Sequence, residues 1–277
     1  MREKGGRSSR GNTPEALRGM HTEAPEAGVP HVRNDMRDAD LRLVLMDIYH
    51  RMYARFGDRH WWPAKTAEEV VIGAILVQSV AWSNVVKAIG QLRERGLLSL
   101  PAIHAASAET IEACVVPTRY YRVKAKKLKA FAAHVCERYG GDLERMFDQD
   151  AASLRSELLS IYGIGPETAD DIVLYAAGKP SFVIDAYTKR IFARLGLVDE
   201  HVGYEPLRQW FMRHLPEDVA LYNNYHALID AIGHHYCAAR RPQCRVCPLA
   251  PVCRHAATMP DESGAEETPP APHRFHQ

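Results

Sequence analysis

Four cysteines fall within seventeen residues, Cys237, Cys244, Cys247 and Cys253, in the spacing C-x6-C-x2-C-x5-C. Thiols this close pair as disulfides or share a metal. Disulfides fit poorly: only Cys114 and Cys136 lie elsewhere in 277 residues, and residues 1–36 hold no apolar stretch of a secretory leader. Zinc ribbons separate two C-x2-C knuckles by a longer loop, and only one knuckle is present. The uneven spacing suits the four corners of a [4Fe–4S] cubane better than a zinc ion.

A carboxylate supplies a second chemistry. Asp185 follows the apolar Phe182-Val183-Ile184 and directly precedes a helical pattern from Ala186 to Leu195. An aspartate there is an ordinary N-cap. At the edge of a cleft it can also activate water or stabilise an oxocarbenium-like sugar. Upstream, Gly163-Ile164-Gly165-Pro166 separates the stripe Leu154, Leu158, Ile161 from the stripe Ala169, Ile172, Val173, Ala176. Glycines permit a tight turn and proline opens the next helix, which makes a helix-hairpin-helix. Such a turn is either a plain corner or a set of bare N–H groups for a DNA phosphate, with Gly163, Gly165 and Thr168 as the contacts. Basic residues gather twice: Arg119, Arg122, Lys124, Lys126, Lys127 and Lys129 around Tyr120 and Tyr121, and Arg240, Arg241, Arg245 and Arg254 in the cysteine loop. Each cluster alone is an ordinary solvated face. Two together suit a phosphate-tracking surface, with Arg122, Lys124, Arg240, Arg241 and Arg245 as candidate contacts.

These groups need a frame to position them. Apolar residues make up 46% of the chain, enough for a real core, and the formal charge is only +1. No apolar run approaches the roughly 20 residues of a membrane helix. Residues 1–37 and 257–277 lack periodicity and are expected to be disordered tails. Residues 38–56 and 124–139 carry helical stripes. Thr66-x-x-Glu69 is a capping box before the run Val70–Val77, so that run reads as a buried helix rather than a strand. The pattern predicts an all-α protein of about ten helices.

In that order, GIGPETADDIVLYAAGKPSFVIDAYTKRIFARLG and the cysteine loop resemble the endonuclease III branch of the helix-hairpin-helix DNA glycosylases. The resemblance spans residues 38–256. It implies two helical lobes with DNA in the cleft between them. A six-helix lobe would cover 66–179, and a cluster lobe would join 38–65 to 180–256. It implies Asp185 as the catalytic carboxylate and a structural [4Fe–4S] cluster on Cys237, Cys244, Cys247 and Cys253. The partner would be duplex DNA carrying a damaged base, met by a monomer in a prokaryotic cytoplasm, at the nucleoid, without a nucleotide cofactor. Bifunctional members attack C1′ with a lysine just before the Thr-Ala of the hairpin's second helix. Glu167 stands there, and a carboxylate cannot form an imine, so the activity implied is monofunctional. Trp61, Trp62 and Trp82, with Gln78, are similar to the base pocket of the 3-methyladenine-removing subgroup. Two indoles would sandwich an alkylated purine, although tryptophans are also ordinary core material. The alternatives are an oxidised-pyrimidine glycosylase with AP lyase activity, and a non-catalytic damage-binding protein.

Overall fold

The structure is a computed structural model that describes residues 37–259, so the expected tails fall almost wholly outside it. All regular structure among the described residues is helical. Two apolar cores divide the chain between Val173 and Leu174.

The first core is built by α2 (Ala67–Leu76), α3 (Trp82–Glu94), α4 (Leu100–Ala105), α5 (Ala108–Val115), α6 (Tyr121–Tyr139), α7 (Leu143–Phe147), α8 (Ala151–Ser160) and α9 (Pro166–Asp171). The second gathers α1 (Asp38–Phe56), α10 (Ala186–Leu195), α11 (Tyr204–His214) and α12 (Val219–His235), and α13 (Arg254–Ala257) packs against α10. The described residues thus hold thirteen α-helices rather than about ten. The surplus consists of short helices, several of which carry a side-chain cap. Ser99 accepts from Ala102 N, Ser107 from Thr110 N, Asp142 from Glu144 N, and Asp150 from Ala152 N and Ser153 N. A side-chain cap satisfies orphan amides and lets a helix of a few residues persist.

Helix α2 is buried from Glu69 to Leu76, as its sequence indicates. Its capping box is half made. Thr66 Oγ1 accepts from Glu69 N at 3.2 Å, but Glu69 Oε2 turns to Lys65 N at 2.9 Å and Oε1 takes Arg93 at 2.6 Å.

One feature fixes the cores against each other, and another packs the second core on itself. Asp170 is fully buried and accepts from Arg155 at 2.8 and 3.1 Å, Arg208 at 3.0 Å, Tyr204 at 2.8 Å and the Ser181 hydroxyl. Glu205 closes the network on both arginines. The carboxylate therefore clamps α8 and α9 to α11 and to the segment ahead of Asp185. At the other feature, Gly233 of α12 lies under Tyr187 of α10. A β-carbon there would come within 2.2 Å of the tyrosine ring. Past α9 the helix continues as a π-turn over Ile172–Ala176, with Ala177 N donating to Ile172 O at 2.9 Å. Such turns re-aim side chains and concentrate at functional sites.

Candidate functional site

Asp185 caps α10. Its Oδ1 accepts from Thr188 N and from Thr188 Oγ1, both at 2.7 Å. Phe182, Val183 and Ile184 are buried, and so is Thr188, which pins the carboxylate from both sides. Its Oδ2 accepts no hydrogen bond among the described residues. The residue is thus a cap with one oxygen to spare.

Three further acids surround it. Glu167, in the first turn of α9, is exposed at its side chain and hydrogen-bonded to nothing among the described residues. Crowding by protein atoms, then the charge of Asp185, pushes its carboxyl up to about 7, while Lys189 pulls the other way. Its exposure lets water screen part of that effect. Asp171 is only 5% exposed. Burial first, then Glu167, Asp170, Asp185 and Asp230, drive its carboxyl far above the usual range. Asp230 on α12 is pushed up to about 7 by burial and by Asp185 and Glu167, against the pull of Arg59. None of these residues except Asp185 and Glu167 was apparent as a site residue in the sequence. Asp171 did stand four residues past Glu167, and His226 and Asp230 are likewise four apart, hence on one face of α12.

The raised carboxyl of Asp230 has a measurable consequence. The folded chain holds that proton to about pH 7, whereas the unfolded chain releases it near 3.8. Stability is therefore lost as pH rises from about 4 to about 7 and is level above that. Asp230→Asn should melt a few degrees above the wild type at pH 8 and match it near pH 4, read by thermal denaturation.

An aromatic wall adjoins the acids. Tyr175, on the π-turn, packs on Trp62 with centroids 5.3 Å apart, and its hydroxyl lies 2.7 Å from His226 Nδ1. Burial lowers the His226 imidazole, and its Nε2 is buried without a partner. The expected sandwich of two facing indoles is absent. Trp61, Trp62 and Trp82 touch one another, with centroids 5.0–5.2 Å apart and Trp62 and Trp82 edge to face at 85°. They form a wall, and Gly73 lets the Trp62 ring lie close on α2, where a β-carbon would come within 3.2 Å of it.

Three other expected side chains have partners inside the protein. Lys124 is buried and donates to Leu76 O at 2.8 Å and Thr118 O at 2.6 Å, so it caps the end of α2 and cannot reach DNA. Burial, and then Lys127, lowers it to about 8. Thr168 is buried, and its hydroxyl accepts from Gln78 Nε2 at 2.9 Å, so the side chain is spent inside the protein. The other end of the half-buried Gln78 amide accepts from Lys127 Nζ, so Gln78 ties α9 to α6 beneath the hairpin.

The hairpin itself keeps its expected form. Gly163 has φ +84°, and the Lys127 chain occupies the space a β-carbon would need. Gly165 needs no special backbone, with φ −94°, but nothing lies within 4 Å of its missing β-carbon. Its bare backbone faces open space. Arg122, Arg240, Arg241 and Arg245 are exposed, and Arg122 lies 3.7 Å from Glu112. Tyr120 stands 73% exposed on a left-handed backbone (φ 38°) at the start of the first basic cluster.

None of the four loop cysteines is in a disulfide, and each is half-buried. Arg194 Nη1 donates to Cys237 Sγ at 3.1 Å and holds Ala238 O and Ala239 O with the same guanidinium. Burial, and then the three neighbouring cysteines, pushes Cys247 up to about 12. Among the described residues no three His, Cys, Asp or Glu are placed to hold a metal ion.

The profile of the HhH-GPD superfamily base excision DNA repair proteins matches residues 72–217. A Methanocaldococcus jannaschii protein assigned as a DNA repair glycosylase is 40% identical over 211 residues, which is 76% of this chain and 96% of that one. A trapped endonuclease III–DNA covalent intermediate superposes with a TM-score of 0.68 at 24% identity, over 80% of this chain and 98% of that one. The Helicobacter pylori 3-methyladenine DNA glycosylase bound to 1,N6-ethenoadenine gives 0.59 at 22%, over 70% and 96%. At these identities the two structures establish the shared fold alone.

Proposed function

Since this chain belongs to the HhH-GPD superfamily of base excision DNA repair proteins and is a DNA glycosylase of that family, we propose that it is monofunctional and releases alkylated purines such as 3-methyladenine. The observation that carries this reading is Asp185 with one oxygen unclaimed, faced by Glu167 and backed by an aromatic wall.

In this reading the exposed amides of the hairpin and the two arginine groups hold the duplex phosphates, and the damaged nucleotide is flipped toward Asp185. The carboxylate stabilises positive charge on the sugar as the C1′–N bond breaks. The bonding pair leaves with the base, and water adds at C1′. An alkylated purine already carries positive charge, so its bond is weak and the pair it receives makes it neutral. Recognition then matters more than chemical power. The indole and phenol faces of Trp61, Trp62, Trp82 and Tyr175 attract a flat cation, as a wall on one side rather than a slot.

Cys237, Cys244, Cys247 and Cys253 are the residues that would hold a [4Fe–4S] cluster. All four thiols are free of disulfides and half-buried in one loop, and their C-x6-C-x2-C-x5-C spacing suits a cubane. Such a cluster supplies a structural cross-link for the loop bearing Arg240, Arg241 and Arg245.

Two measurements test the reading. A mass-spectrometric screen of bases released from damaged DNA should show methylated purines. Release of thymine glycol without them would favour the pyrimidine alternative. Borohydride should trap no covalent protein–DNA adduct above background, because Glu167 offers no amine, and a strong adduct would refute monofunctional action.

A further inference from the structure

Asp171 lies one turn along α9 from Glu167, on the face toward Asp185 and Asp230. It is 5% exposed, and among the described residues no hydrogen bond reaches its carboxyl and no lysine or arginine pairs with it. Its neighbour Asp170, equally buried, is satisfied by Arg155, Arg208, Tyr204 and Ser181. A buried carboxyl without partners is costly to keep. Four residues further on, Tyr175 joins this acid to the wall that Trp62 forms. His226, whose Nε2 is also unpartnered, bonds the same tyrosine. Unsatisfied carboxyls beside aromatic faces are what a buried organic cation needs.

We propose that Asp171, backed by Asp230, is the counter-ion of a positively charged damaged base and sets a preference for cationic over neutral bases. This rests on the glycosylase reading above and adds the residue that discriminates. The groups facing Asp171 are Glu167 and Asp170 on its own helix, Tyr175 on the π-turn, Asp185 before α10, Tyr204 on α11 and Asp230 on α12. The nearby cations are engaged elsewhere: Arg155 and Arg208 bind Asp170 and Glu205, and Arg59 acts on Asp230. In the free protein these surroundings keep the Asp171 carboxyl protonated. Entry of a cationic base expels that proton to solvent and leaves a carboxylate against the cation, so charge is conserved in the site. Affinity for the cation therefore rises with pH, while affinity for a neutral base does not. When the glycosidic bond breaks, the base becomes neutral and the positive charge passes to the sugar beside Asp185. Asp171 thus acts in binding and Asp185 in bond breaking.

The test uses full-length protein and two duplexes. One carries 7-methyladenine on a 2′-fluoroarabinose, which has no ring N–H to lose, stays cationic from pH 6 to pH 8 and resists cleavage. The other carries 7-deaza-7-methyladenine, its neutral isostere. Wild type should prefer the cationic duplex, increasingly from pH 6 to pH 8, and calorimetry in two buffers of different ionisation enthalpy should show about one proton released per cationic base bound. Asp171→Asn should lose about ten-fold or more of that preference and the proton release, with neutral-duplex affinity unchanged. Asp230→Asn should lose less. Retained preference in Asp171→Asn, or no proton release by wild type, overturns the proposal while base release still supports the glycosylase reading. Equal binding of both duplexes by wild type would instead remove the alkylated-purine reading itself. If Asp171→Asn misfolds, both affinities fall, and the wild-type proton count decides.

Discussion

Asp185→Asn stops base release and leaves DNA affinity within a few-fold of wild type. The two bonds from Thr188 end on a single oxygen, Oδ1. An asparagine carbonyl can accept both, and asparagine caps helices as well as aspartate does. The variant therefore keeps α10 in place, and its melting temperature should show this. What it loses is the negative charge on the unclaimed oxygen. A charge-stabilising group in a partly dry site contributes about 4 kcal/mol to the transition state, so the single-turnover rate should fall by roughly a thousand-fold or more. An Asn variant that excises at the wild-type rate would make Asp185 a cap and nothing else.

Cys247→Ala has the second large effect, this time on stability. Pure wild-type protein should be brown, with about four irons and four sulfides per chain. The variant should be colourless and melt roughly 10 °C or more below wild type, because metal binding in such a loop is part of its folding free energy. Apart from a cluster, the loop is held by the buried Leu249 and by α10, through the Arg194 guanidinium and the Arg190 bond to Cys237 O at 2.8 Å. DNA affinity should fall with it, since Arg240, Arg241 and Arg245 lose their support. A colourless wild type holding one zinc would contradict the cluster.

Local signals in the sequence were reliable where a residue's partner lies nearby along the chain. The stripes of α1 and α6, the Thr66 cap and the glycine turn each concern residues within about a turn of one another, and the structure bears them out. Long-range partners were invisible. Lys124 reads as one more surface cation in a basic run, yet two carbonyls, one 48 residues away, draw it inward. Gln78 finds Thr168 across 90 residues. The tryptophans read as a sandwich because sequence cannot show which faces are already taken by other rings. His226 and Asp230 lie on α12, far along the chain from the hairpin, and only folding brings them to Asp185.

Gly233 has a consequence for anyone wishing to improve this protein. Alanine in place of a helical glycine ordinarily gains about 0.5–1 kcal/mol, so a propensity-guided search for thermostable variants would choose this position early. The added methyl would collide with Tyr187, two residues past Asp185, and push α10 off α12. Overpacking of this kind costs about 1–3 kcal/mol, more than the helix gains, so Gly233→Ala should lose heat resistance and base release together. A propensity score would promote the variant, and a single thermal melt would discard it.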